Sequence, residues 1–104
     1  MVDVHWDTLR EKQLRYRDHT WTLTGDVEVR NSGEHLAVAA RQADDVRRRR
    51  GTFSFEVHDT DESLNPGNLG DAFERLEQTG DGQALVVKHR GRTYRYRLNR
   101  LEYQ

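Results

Sequence analysis

The chain contains no cysteine among its 104 residues. Disulfide frameworks, zinc sites built on thiolates and cysteine nucleophiles are therefore excluded. Long apolar runs are also missing, because the longest, at residues 36–40, is far shorter than the ~20 residues that cross a membrane. Charges are spread through residues 1–20, where a secretory signal would need an apolar segment. These absences predict a cytoplasmic protein without a membrane partner.

Lysine is scarce as well, since 15 of the 17 cationic residues are arginine. Arginine suits bidentate contacts with phosphate and carboxylate groups. A GC-rich genome, which favours arginine codons over lysine codons, is the simpler explanation, so arginine content alone indicates no ligand. The distribution of charge along the chain is more informative.

Acidic and basic residues are segregated although the formal net charge is only −1. Four consecutive arginines at 47–50 precede a segment, residues 51–81, that holds eight carboxylates and one arginine. Residues 82–104 hold six cations and one carboxylate. This asymmetry predicts a separate basic surface on the folded protein.

The length predicts one domain covering residues 1–104. Apolar and charged residues each make up 34% of the chain, a balance that approaches the composition of disordered proteins. The apolar residues nevertheless recur with regular periods, which predicts a packed core.

Three segments in the first half show the period of two that is typical of β-strands. The inward-facing residues of the first are Trp21, Leu23, Val27 and Val29, with Gly25 in the same phase; those of the second are Leu36, Val38 and Ala40; those of the third are Phe53, Phe55 and Val57. Turn-forming residues at 31–33 separate the first two. The pattern predicts a three-stranded antiparallel meander.

Residues 65–80 predict the main helix. Its apolar face, spaced i, i+3, i+4 and i+7, consists of Leu69, Ala72, Phe73 and Leu76. Asn65-Pro66 fits an N-cap and first helical position, and Gly80 fits a C-cap. For the N-terminal segment two alternatives stay open: a short helix over about residues 9–17 behind a capping box at Thr8, or an extended arm.

A β-hairpin is predicted at the C-terminus, with strands at 83–88 and 93–98. The side chains of Tyr94, Tyr96 and Leu98 project from the same face of the second strand. Because the tyrosines share this face with leucine, the pattern favours core packing of their rings over stacking on bases. The predicted fold class is α+β: an antiparallel sheet of about five strands, three in the meander and two in the hairpin, with a firm helix and the N-terminal helix on one face.

The cationic runs indicate a nucleic-acid-binding surface, because phosphate contacts release counterions and suit the guanidinium fork. The predicted binding residues are Arg47, Arg48, Arg49, Arg50, Lys88, Arg90, Arg92, Arg95 and Arg97. The predicted partner is RNA or DNA, contacted through its backbone without base specificity. The hypothesis requires both runs to share one surface.

Other interpretations stay open. The basic residues fit a solvated face, pairing with the acidic segment of the same molecule, or a homodimer in which the hairpin meets residues 56–81 of another copy. An enzyme is the third alternative, but no H-x-x-x-H or G-x-S-x-G motif is present. The cluster at 58–63 departs from an EF-hand loop at Leu64 and Gly70, where glycine and glutamate are required. No catalytic residue, metal or cofactor is therefore predicted.

Overall fold

The protein is mostly β: most of the residues that the structure describes lie in strands, and one short α-helix is present among them. The computed structural model describes residues 2–44, 47–59, 63–65, 67–80 and 82–104. The elements are β1 (Val2–His5), β2 (Gln13–Tyr16), β3 (His19–Arg30), β4 (His35–Gln42), β5 (Arg50–Glu56), α1 (Leu69–Ala72), β6 (Phe73–Thr79), β7 (Gly82–His89) and β8 (Arg92–Tyr103). The predicted α+β class, with about five strands and a firm helix, is wrong.

Seven strands are hydrogen-bonded neighbours in a nearly closed, barrel-like antiparallel sheet, in the order β1-β3-β4-β5-β8-β7-β6. β2 pairs with the first half of β3 and β1 with the second half, so both lie along the same edge of β3. The first meander consists of β2 to β5, with β1 added along the same edge of β3, and the second meander consists of β6 to β8. The pairing of β5 with β8 joins them.

The three predicted strands of the first half are confirmed as β3, β4 and β5. Their inward-facing apolar residues are buried as the alternation requires: Trp21, Leu23, Val27, Val29, Leu36, Val38, Ala40, Phe53 and Phe55. The predicted C-terminal hairpin is also confirmed, and β7 and β8 are joined by the two-residue turn Arg90-Gly91. Both turn residues have positive φ, 51° and 78°, as the favoured hairpin turns require.

The predicted main helix over residues 65–80 is wrong except for the single turn of α1, Leu69–Ala72. α1 has Asn68, not Asn65, at its N-cap, and Pro66 lies outside the described residues. The chain then enters β6, where Phe73 pairs with Val87 and Arg75 with Val86, so the residue between them is an extra one in a β-bulge. The bulge places Phe73 and Leu76, three residues apart, against the same core. The spacing that predicts a helix therefore comes from a bulged strand.

The predicted N-terminal helix is also wrong, and the extended alternative is closer to the structure. Thr8 lies within a 3₁₀ turn, Asp7–Leu9, which starts from Trp6 rather than from a capping box. β2 follows and turns into β3 through Arg17-Asp18, both with positive φ. Pairing with β3 satisfies the backbone hydrogen-bonding groups along β2. A short helix in the same place would have only a thin apolar stripe to hold it against the core, and short helices are marginally stable without such packing.

Most of the buried apolar side chains form one core cluster inside the sheet. Trp6 and Leu9 enter it from the N-terminal segment, and Leu64 and Leu69 enter it from the connection between β5 and β6. A chain of ring contacts crosses this core from Tyr16 to Phe53 (5.6 Å between centroids) and from Phe53 to Trp21 (5.4 Å). Within the described ranges, no helix has the length and apolar composition needed to cross a lipid bilayer.

Candidate nucleic-acid interface

The four-arginine run lies at the end of the sheet where β8 finishes. Arg50 begins β5 opposite Arg41 of β4, and the next residue of β5, Gly51, pairs with Tyr103. Asp44 anchors the connection that carries the run, because its carboxylate accepts a hydrogen bond from the backbone N–H of Thr20 (3.0 Å). This bond lowers the pKa of Asp44, so the anchor stays ionised at neutral pH.

The basic hairpin, the predicted binding residues of β7 and β8, begins at the opposite end of β8. Arg90 lies in the turn, and Arg92 is the first residue of β8. At ~3.3 Å per residue, the twelve residues of this strand can separate Arg92 from Tyr103 by about 35 Å. β8 can be this long because its first half pairs with β7 and its second half with β5. The structure therefore does not bring the two cationic runs together. The predicted single surface formed by both runs is wrong, and any interface with a polyanion is limited to one of them.

Two of the hairpin arginines are paired with carboxylates of the acidic segment in the same molecule. Arg92 lies 3.5 Å from Asp59, and Arg95 donates a hydrogen bond to Glu77 (3.3 Å). The other cations of the basic hairpin are exposed and make no ion pair with a described residue: Lys88, Arg90 and Arg97. The alternative of internal pairing thus applies to part of the hairpin.

Glu77 is the centre of a group of ion pairs on the outer face of the second meander. Arg75 also donates to its carboxylate, at 2.9 Å. By register, Val86 lies between Arg75 and Arg95, and Ala84 lies between Glu77 and the strand β8. Both apolar residues are fully buried although they point away from the core. The charged residues beside them in the register have aliphatic stems of the kind that can cover apolar surface, and Arg95 is held on this face by its ion pair with Glu77.

The hydrogen bonds from Arg75, and next from Arg95, lower the pKa of Glu77. The resulting stability is fully present above the ordinary glutamate pKa and is lost as pH falls through the lowered folded value. We expect the Arg95→Gln variant to raise the NMR titration midpoint of the Glu77 carboxyl carbon. Arg90→Gln, which removes a cation without a carboxylate partner in the described structure, is the control. Equal midpoints in wild type and Arg95→Gln would contradict the assignment.

Beside the four-arginine run, the structure places two residues that were not predicted to bind. Arg41 is exposed opposite Arg50, and Tyr103 is the one exposed large hydrophobic residue in the described chain, at 57% exposure. The Arg49 guanidinium carbon lies 5.5 Å from the centre of the Tyr103 ring, which packs against Trp21 on the core side. We define the arginine-end surface as Arg41, Arg48, Arg49, Arg50 and Tyr103.

The cations of the arginine-end surface are less neutralised than those of the basic hairpin. Arg41, Arg48 and Arg50 make no ion pair with any residue in the described ranges, and Arg49 contacts only a neutral ring. Arg47 is exposed at the start of the run. The proximity of Arg41 to Arg50 could have been predicted from the sequence, because the two residues lie on either side of the connection between β4 and β5. No local sequence pattern indicates a role for Tyr103.

Core packing of the two β8 tyrosines is confirmed. Tyr94 and Tyr96 are 3% and 0% exposed, and the Tyr96 hydroxyl donates to the backbone carbonyl of Gly33 (2.7 Å). Neither ring can stack on a base without unfolding the sheet. The aromatic residue available to a ligand on β8 is Tyr103.

No group of three or more histidine, aspartate or glutamate side chains in the described residues is arranged to hold a metal ion. Of the polar cluster at 58–63, the central residues Thr60, Asp61 and Glu62 lie outside the described ranges. Comparison with protein-family models, with curated proteins and with solved structures finds no match to this chain.

Proposed function

We propose that the protein is a small binding module that contacts the phosphate backbone of RNA or DNA, without base specificity, through the arginine-end surface. The observation that carries the proposal is the group of exposed arginines around Tyr103, three of them without a carboxylate partner among the described residues. A cytoplasmic location, where RNA and DNA are accessible, belongs to the same proposal.

Each part of this surface has a distinct role in the proposal. Arg41, Arg48 and Arg50 contact successive phosphates through forked N–H donors, and each contact releases condensed counterions. Tyr103 offers a partly exposed ring on which an unpaired base stacks, as aromatic residues do in proteins that bind single strands. Arg49, whose guanidinium carbon now lies 5.5 Å from the ring centre, moves aside for the base and contributes positive charge next to it.

The test compares two triple variants that lose equal charge at opposite ends of the molecule. Binding of a single-stranded probe of about 12 nucleotides is followed by fluorescence anisotropy between about 50 and 200 mM salt. Replacing Arg48, Arg49 and Arg50 by alanine is expected to weaken binding at least about tenfold and to reduce the log–log salt slope by about 2. Replacing Lys88, Arg90 and Arg97 by alanine is the matched control.

Equal losses in the two variants would show that charge alone, and not the arginine-end surface, attracts the probe. Absence of binding to single-stranded RNA, single-stranded DNA and duplex probes at low salt would overturn the proposed function. Self-association through the basic hairpin stays a separate prediction, which sedimentation at rising salt tests directly.

A further inference from the structure

A cleft of about 520 Å³ opens where the sheet is not closed. One wall comes from the end of β2 and the β2–β3 turn, and the other comes from the paired ends of β6 and β7, with β8 behind them. The residues that line it are Arg15, Tyr16, Arg17, Asp18, Gln78, Gly82, Gln83, Leu98 and Asn99. Its size falls within the range typical of small-molecule sites, about 300–1,000 Å³.

Two carboxamide side chains lie next to each other on one wall of this cleft. Gln78 and Gln83 are directly opposite in the β6–β7 ladder, and both share the phase of the inward-facing residues Leu76 and Leu85. Side chains at such positions are about 5 Å apart at their Cβ atoms. The pair therefore presents amide donors and acceptors side by side on the inner face.

Gln83 is the buried polar side chain among the residues that line this cleft. It is only 8% exposed, yet its amide makes no hydrogen bond to any described residue. Its polar atoms are not sealed in the core, so the accessible part of the side chain opens into the cleft. Water in the cleft can pair with this amide, and a ligand with matching donors and acceptors can replace that water.

Cations stand on the other side of the cleft. Arg15 and Arg17 are exposed, and the guanidinium carbon of Arg17 lies 5.2 Å from the centre of the Tyr16 ring. Neither makes an ion pair with a residue in the described ranges. A ligand in the cleft thus meets amides on one side and, on the other, two guanidinium groups with the Asp18 carboxylate beside them.

We propose that this cleft binds one nucleotide, with the base edge against Gln83 and Gln78 and the phosphate against Arg15 and Arg17. A carboxamide presents a donor and an acceptor in one plane, which matches adjacent groups on a base edge. The guanidinium fork matches phosphate oxygens. The nucleotide is either a free mononucleotide or an unpaired residue of a longer strand. The site is distinct from the arginine-end surface and does not depend on it.

The test is a titration of ¹⁵N-labelled protein with each of AMP, GMP, CMP and UMP, followed by two-dimensional NMR. We expect saturable shifts of the Gln83 side-chain NH₂ signals and of the backbone amides of Gln78 and Arg15. Ribose 5-phosphate, which lacks a base, is expected to shift the backbone amide signal of Arg15 and to leave the side-chain NH₂ signals of Gln83 unchanged. No saturable shift of the Gln83 side chain with any of the four mononucleotides would overturn the proposal.

Two variants separate recognition by Gln83 from a structural effect. Gln83→Leu keeps the volume but removes the amide, and it is expected to weaken mononucleotide binding at least about fivefold. Gln13→Leu, at an exposed position of β2 outside the cleft, is expected to leave binding unchanged. Equal affinity of Gln83→Leu and wild type for mononucleotides would contradict the role of Gln83 in contacting the base. If this variant does not fold, the titration of the wild-type protein still tests the proposal.

Longer ligands distinguish the two sources of the nucleotide. Binding of mononucleotides without any binding of single-stranded probes would assign the cleft to a free nucleotide and would overturn only the function proposed for the arginine-end surface. Competition between a mononucleotide and a single-stranded probe for the Gln83 signals would assign the cleft to an unpaired residue of the strand.

Discussion

Replacing Phe53 by alanine is expected to lower the free energy of unfolding by about 3–5 kcal/mol. Phe53 is fully buried in β5 at the centre of the core. Its ring contacts Tyr16 and meets Trp21 edge to face, so truncation removes transfer free energy and leaves a cavity between two rings that the strands hold apart. A domain of this size has roughly 5–15 kcal/mol in total, so this single substitution removes a large part of the stability.

Chemical denaturation, monitored by the fluorescence of Trp6 and Trp21, measures this loss. Tyr103→Ala is the control, because Tyr103 belongs to the same chain of ring contacts but is largely exposed. We expect its effect to be less than half as large. Similar losses at the two positions would mean that burial in this core does not set the cost.

Replacing Gly25 by alanine is expected to destabilise the protein by about 2–4 kcal/mol. The φ of Gly25 is +94°, a conformation that side-chain-bearing residues rarely adopt, and an added Cβ would lie 2.9 Å from the backbone oxygen of Trp6. The same residue accepts a hydrogen bond from the Trp6 N–H. Gly25 lies in the irregular part of β3 between its pairings with β1 and β2, so strain there also displaces Trp6 and Leu9 from the core.

Gly80→Ala is the matched control for this substitution. Gly80 lies in the β6–β7 turn, its φ is not in the left-handed region, and an added Cβ would find no atom within 4 Å. Its effect is expected to lie within about 0.5 kcal/mol of zero. Thermal unfolding of both variants by circular dichroism provides the comparison, and equal midpoints would contradict the role assigned to Gly25.

The predicted strands are correct where burial alternates strictly along the chain. In β3, β4, β5 and β8 one face meets the core and the other meets water, so a period of two is visible locally. The prediction fails in β6, where the bulge at Glu74 changes the alternation and residues 69–76 imitate one face of a helix. It also fails in β2, because this short strand is stabilised by pairing with β3, a partner that its own four residues do not reveal.

The candidate site was predictable in its residue types and not in its arrangement. Segregated charge correctly identified exposed arginines at 47–50 and along the hairpin. The positions of the two runs depend on β8, which pairs with β7 along its first half and with β5 along its second half. The length of this strand separates the runs, and the local sequence does not show it. Tyr103 and the pair Gln78 and Gln83 gave no sequence signal, because each acquires its role from a neighbour in another strand.

The amino-acid sequence alone determined which residues of β3, β4, β5 and β8 point inward and how charge is divided along the chain, since both follow from local spacing. The tertiary structure decided that β5 pairs with β8, that the two basic runs lie at opposite ends of β8, and that a cleft remains between β2 and β6. These features depend on contacts between residues far apart in the chain. Backbone hydrogen bonds between strands are nearly independent of side-chain identity, so only the packing of the whole core selects among the alternative pairings.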